Sequence, residues 1–196
     1  GLASCTGLSF MLIDACRSVG IPARFVGTPM WYNNSGNHSW VEIWDNGWHF
    51  TGAFEPTGDR LNEGWFASLA ARAVEGHPEY GIYAATWKKT GVFFPMDWKP
   101  GIEKYYAYDV TSSYQKYLDD NFVPLRLKVV GKNGMRKKVL VNVKAADNGF
   151  SFSGYSKDER NDANDHLTLN LPIGSSCMIN VNDISRSIVL EKEELI

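Results

Sequence analysis

Three residue types that can run nucleophilic acyl chemistry fall in the first third of the 196-residue chain: Cys5, His38 and Glu55. A cysteine attacks a carbonyl as thiolate, and an ordinary thiol pKa of about 8.5 leaves little thiolate at neutral pH. Cys5 follows Ser4, a good N-cap residue, so it would open a helix whose unpaired N–H groups and dipole favour negative charge. His38 is the candidate base. An acid on its second ring nitrogen would fix the tautomer and support the imidazolium that forms during turnover.

These residues need a helix and a hairpin to position them. Ser4 followed by residues 5–19 predicts a capped helix, with Leu8, Met11, Leu12, Ala15, Cys16 and Val19 as its buried stripe and Gly20 and Pro22 as its stop. Arg24 to Gly27 predicts a strand, and Thr28 to Asn37 an irregular segment. His38 to Trp44 and Trp48 to Thr51 are rich in strand formers and flank Asn46-Gly47. That dipeptide predicts a two-residue type I′ turn, which needs two residues at positive φ. In that register Asp45 pairs with Trp48, Glu42 faces Thr51, and His38 faces Glu55 on the same side of the sheet. Gly52 is a candidate bulge that would break this pairing.

Farther along, Gly64 to Glu75 predicts a helix with Trp65, Phe66, Leu69 and Ala70 on one side. Aromatic loops and short strands follow from Tyr80 to Trp98. From Phe122 onward, short alternating runs separated by Gly, Asn and Asp predict a small all-β sandwich, immunoglobulin-like or transthyretin-like. The expected fold class is α+β, with a catalytic core over residues 1–121 and the β-sandwich over 122–196.

Composition sets outer bounds. The content is 44% hydrophobic and 21% charged, as in ordinary globular proteins, and the net charge of -2 offers no electrostatic case for a nucleic-acid partner. No apolar stretch reaches the roughly 20 residues needed to span a bilayer. Cys5, Cys16 and Cys177 are spaced as neither a disulfide framework nor a zinc site, and Cys16 and Cys177 read as small buried hydrophobes. The Asp- and Asn-rich run from Lys157 to Asp165 lacks the central glycine and terminal glutamate of an EF-hand and reads as a solvated loop. The opening Gly-Leu-Ala-Ser-Cys resembles the interior of a domain, so further residues are expected upstream. Trp31 and Tyr32 precede the histidine motif and Trp40 lies within it on the strand face of His38; each would either line a substrate groove or pack as core.

Four blocks carry a family resemblance. Gly-Leu-Ala-Ser-Cys with its apolar helix, Arg17 to Arg24, Asn37 to Trp44, and Gly47 to Pro56 occur in the order and spacing of transglutaminase-like domains. The last block, with Gly64-Trp65-Phe66, resembles a bacterial branch of that superfamily. The likeness is strong over residues 1–66, weaker to about residue 110, and absent from the tail. It implies a papain-like core, a helix bearing the cysteine packed on an antiparallel sheet, with Cys5, His38 and Glu55 as a triad. Glu55 stands where most members have Asp, which lengthens the acid by one methylene. The implied activity is acyl transfer on a peptide or amide carbonyl through a Cys5 thioester, needing no cofactor, with a protein or peptide as substrate. The backbone N–H of Cys5 would be one oxyanion donor. Family analogy also implies an exported, extracytoplasmic protein. The alternative is an inactive binding or assembly module for peptide or glycan, and the oligomeric state is open.

Overall fold

The helix α1 spans Cys5–Ser18 and begins as its residue types predict. Ser4 is extended, and its hydroxyl accepts a hydrogen bond from the Gly7 N–H at 3.2 Å. At the other end Gly20 takes φ +81°, a left-handed conformation that glycine adopts without steric penalty, while the Ile21 N–H returns to the Cys16 carbonyl at 2.9 Å. The computed structural model describes residues 3–53, 58–96, 101, 103–118, 121–146, 149–161, 165–192 and 194–196. It divides into two compact units, Gly1–Leu118 and Asp119–Ile196. Coarsely, the architecture is α+β, with few helices and mostly antiparallel sheets.

In the first unit α1 packs on a five-stranded antiparallel sheet. Its strands are β1 (Ala23–Thr28), β2 (His38–Trp44), β3 (Trp48–Thr51), β4 (Tyr83–Ala85) and β5 (Ala107–Asp109), in the order β3-β2-β1-β4-β5. Side chains alternate between the two faces. On the α1 side Ile13 joins Ala23, Phe25, Val41 and Tyr83 in one core, and Phe10 stacks on Phe25 with ring centroids 4.9 Å apart. On the far side Val26, Trp40, Phe50 and Ala84 pack against Phe66, Leu69 and Tyr114. Phe66 immediately precedes a short helix α2 (Ala67–Ala70), and Tyr114 lies in a second, α3 (Thr111–Gln115).

The expected stripe on α1 is corrected by this packing. Met11 and Val19 are exposed, whereas Ser9 and Ile13 are buried and Cys5, Leu12 and Cys16 are partly so. Burial thus follows Cys5, Ser9, Ile13 and Cys16, the i, i+4 and i+3 neighbours of one helix face. The helix is turned so that Ile13 enters the sheet's core and a small residue, Ser9, is wholly buried.

The hairpin register is also corrected. Trp44 pairs with Trp48, Ile43 with His49, Glu42 with Phe50 and Val41 with Thr51. Of the turn residues Asn46 alone has positive φ, at 52°, so a type I′ turn does not form and the loop has three residues, Asp45 to Gly47. A shift of one residue moves a strand's side chains to the opposite face. Phe50, not Thr51, therefore shares the face of Trp40 and Glu42.

A buried polar network holds β2 to its neighbours. Arg24 pairs with Glu42 at 2.6 Å, the Tyr114 hydroxyl donates to Glu42 Oε1 at 2.6 Å, and Trp40 Nε1–H donates to the Tyr114 oxygen at 2.7 Å. Arg24 lies 4.0 Å over the Trp48 ring as well. The predicted helix over 64–75 shrinks to α2, because the chain turns back so that the Val74 N–H reaches the Tyr80 carbonyl at 2.8 Å.

The second unit is built from two sheets that share one apolar core of Leu125, Val141, Val143, Leu171, Cys177 and Ile179 among others. One has the order β11-β10-β7-β8 and the other β12-β6-β9. Their strands are β6 (Phe122–Leu127), β7 (Leu140–Ala145), β8 (Ser151–Tyr155), β9 (Leu167–Pro172), β10 (Ser176–Val181), β11 (Ile184–Val189) and β12 (Glu194–Leu195). Among the described residues no helix is long and apolar enough to cross a membrane.

Candidate active site

Cys5 is the first residue of α1 and lies one and two helical turns before Ser9 and Ile13 on the face that meets the sheet. Ser4 takes one of the amide groups a helix start leaves over, its hydroxyl accepting from the Gly7 N–H, while its carbonyl accepts the first intrahelical bond, from the Leu8 N–H at 3.0 Å. The Cys5 side chain is a half-buried thiol. The other cysteines are poorer nucleophiles on physical grounds. Burial pushes the Cys16 thiol up, and Cys177 is buried in the core of the second unit.

A hydroxyl pair ties the start of α1 to the start of β2. Thr6 Oγ1 and Ser39 Oγ lie 3.2 Å apart, and each residue is the chain neighbour of a candidate catalytic one, Cys5 and His38. The two backbone positions are therefore brought to the same end of the helix–sheet layer. Close packing supports this approach. A Cβ on Gly27 would lie 3.0 Å from the His38 carbonyl and 3.3 Å from Ser39 Oγ, so glycine leaves the room that β1 and β2 need there.

The imidazole of His38 lies on the other face. Ser39 turns toward α1, and alternation along β2 sends His38 toward the aromatic core, where it is 1% exposed. Its ring centroid is 4.8 Å from Trp65, 5.0 Å from Phe66, 5.8 Å from Trp40 and 6.2 Å from Trp31. Trp65 and Phe66 form part of this cage without carrying any nucleophilic or titratable group. In the sequence they are marked by the Gly64-Trp65-Phe66 block and by the apolar side of the helix expected over 64–75.

Glu55 lies outside the described residues. The observed register also removes the reason for placing it opposite His38, since β3 pairs one residue out of the expected step. The fold places Trp31, Tyr32 and Trp40 in or against the aromatic core of the far face. Trp31 and Trp40 are fully buried and stacked at 6.1 Å, and Tyr32 is partly buried against the same cluster.

An accessible cleft lies elsewhere in this unit. A groove of about 710 Å³ runs beside α1, with Thr6, Phe10, Phe25, Trp87, Tyr105 and Tyr106 in its wall. Its volume is in the range of sites that hold small organic ligands. Trp87 is almost wholly exposed. Among the described residues no group of three or more His, Cys, Asp or Glu side chains could hold a metal ion.

Residues 1–53 match the family model of the transglutaminase-like superfamily. That segment is transglutaminase-like. It takes in α1, β1, β2 and β3, and so includes both Cys5 and His38 but ends before Glu55. No curated protein and no solved structure matches the chain. The transglutaminase-like segment is thus the helix together with three of the five strands it packs on, and the Thr6–Ser39 contact lies within it.

Proposed function

We propose that this chain performs thiol-dependent acyl transfer on a peptide or amide carbonyl, with Cys5 as nucleophile, His38 as base and Glu55 as the acid that orients it. The carrying observation is the position of Cys5: first residue of a capped helix, on the sheet-facing side, next to the Thr6–Ser39 link that draws in the start of β2. The match of residues 1–53 to the transglutaminase-like model supports it.

In the proposed reaction the Cys5 proton passes to His38 and Sγ bonds to the carbonyl carbon. The C–N bond then breaks, the amine leaves with the proton from His38, and a thioester remains on Cys5. Attack by water gives hydrolysis and attack by an amine gives transamidation; both restore the thiol. The Cys5 N–H, at a helix start where backbone donors are left over, is suited to the oxyanion. His38 has to turn or its cage has to open for the imidazole to reach the thiol, and Glu55 enters by the family resemblance alone.

A second reading rests on a separate observation. His38 is 1% exposed inside an aromatic cage, while the open groove beside α1 is lined by aromatic rings. Both features suit a module that binds peptide or glycan without turnover.

Incubation with 4-nitrophenyl acetate followed by intact-mass analysis separates them. An acyl adduct that maps to Cys5 and transfers to added hydroxylamine supports acyl transfer. No adduct on Cys5, with peptide or glycan binding undiminished in Cys5→Ala, overturns it in favour of the binding module.

A further inference from the structure

Ser9 is 0% exposed, and its Oγ has no hydrogen-bond partner. Native interiors rarely keep a buried hydroxyl in that state, because the desolvated donor and acceptor are not repaid. The usual refuge for a serine within a helix is the carbonyl four residues back, here that of Cys5, and Ser9 does not take it. One turn back on the same side of α1 stands the partly buried Cys5. Residues four apart on a helix have Cβ atoms about 5–6 Å apart, a gap that one hydroxyl and one thiol can bridge between them. Helical side chains also lean toward the helix N-terminus, so Ser9 leans toward Cys5 rather than away from it.

We propose that Ser9 is a positioning residue for Cys5, its buried hydroxyl rotating to donate O–H···S⁻ when the thiol ionises. This rests on Cys5 being the nucleophile. In the step the S–H bond breaks and its proton passes to His38, as in the proposed reaction; the Ser9 hydroxyl, which has no hydrogen-bond partner, then turns to the new charge. A neutral thiol accepts hydrogen bonds weakly and a thiolate accepts them strongly, so the contact favours the charged form selectively. The hydroxyl thereby adds a side-chain donor to the backbone amides of the helix start. A purely structural role would need only that residue 9 be small enough for α1 to lie close on the sheet, and alanine would then serve as well.

The test is alkylation by iodoacetamide between pH 5 and 9 in wild type, Ser9→Ala and Ser9→Thr. Peptide mapping scores Cys5 separately from Cys16, which serves as an internal control, and thermal unfolding confirms the fold. The expected result is that the pH midpoint for Cys5 rises by about one unit in Ser9→Ala, the scale of one hydrogen bond to a charged group. Ser9→Thr restores it where threonine is accommodated, and the Cys16 profile stays put. An unchanged Cys5 midpoint in folded Ser9→Ala overturns the proposal and reduces Ser9 to a packing residue. The acyl-transfer proposal is judged apart, from wild type alone: a Cys5 midpoint at the ordinary thiol value of about 8.5 counts against it whatever Ser9→Ala does.

Discussion

Thr6 Oγ1 and Ser39 Oγ lie 3.2 Å apart, joining the first turn of α1 to the first residues of β2. Residues 33 positions apart in the chain are held there, and each stands next to a residue proposed for the chemistry. A part-buried hydrogen bond between neutral hydroxyls contributes about 1 kcal/mol. Ser39→Ala is expected to lower unfolding free energy by about that much, and a cycle with Thr6→Val should give a coupling of about 0.5–1.5 kcal/mol. Urea unfolding of the four proteins checks it; zero coupling would mean that the contact does not hold the two elements together.

The ion pair under the sheet makes a larger prediction. Glu42 is almost wholly buried and is held by Arg24 on one oxygen and Tyr114 on the other. Removing the cation leaves a buried carboxylate uncompensated, so Arg24→Met is expected to cost about 3–5 kcal/mol. Tyr114→Phe removes one hydrogen bond to that charge and should cost about 1.5–3 kcal/mol. Equal costs for the two variants, measured by denaturant unfolding, would show that the pair and the hydroxyl do not act as described.

Alkaline pH probes the same network. Burial, and then the nearby charge of Glu42, push the Tyr114 hydroxyl well above its ordinary range. The unfolded chain loses that proton near pH 10 while the folded chain keeps it, so the folded state binds more protons above that pH. The stability contributed by the neutral phenol is complete below about pH 10 and falls as pH rises beyond it. The thermal midpoint should therefore drop between pH 9 and pH 11, and drop less in Tyr114→Phe. An equal drop in both proteins would assign the alkaline loss to other groups.

The turn between β2 and β3 depends on Asn46 at φ 52°. A β-branched residue there is forced into the left-handed region, at a cost of about 1–2 kcal/mol, whereas glycine is tolerated. Asn46→Val should lower the thermal midpoint and Asn46→Gly should leave it nearly unchanged. The opposite ranking would indicate a different turn.

Elements governed by local rules were legible in the amino-acid order. Ser4 caps α1 as its side-chain chemistry requires, Gly20 ends the helix at a positive φ, and His38–Trp44 and Trp48–Thr51 form strands from their β-branched and aromatic residues. What was not legible depends on partners distant in sequence. Which side of α1 meets the sheet is decided by Ile13 packing with Ala23, Phe25 and Val41, and no periodicity within the helix contains that information. The hairpin register turned on a single dihedral, because Asn46-Gly47 serves a three-residue loop as readily as a two-residue one.

The site was partly legible for the same reason. Cys5 is recognisable from its place after an N-cap, a local feature. The link through Thr6 and Ser39, the aromatic cage around His38 and the unpartnered hydroxyl of Ser9 all arise from packing between elements. The burial of Trp31 and Trp40 likewise comes from partners on other elements rather than from their own neighbours in the chain.

The proposed pairing of Cys5 with His38 is tested most directly by the pH dependence of Cys5 alkylation in wild type and His38→Gln, with the fold of both checked by thermal unfolding. Acyl transfer predicts rapid labelling of Cys5 well below pH 8 in wild type and a midpoint shifted upward in His38→Gln. Identical profiles, both at the ordinary thiol midpoint, would contradict it and leave the chain as a binding module.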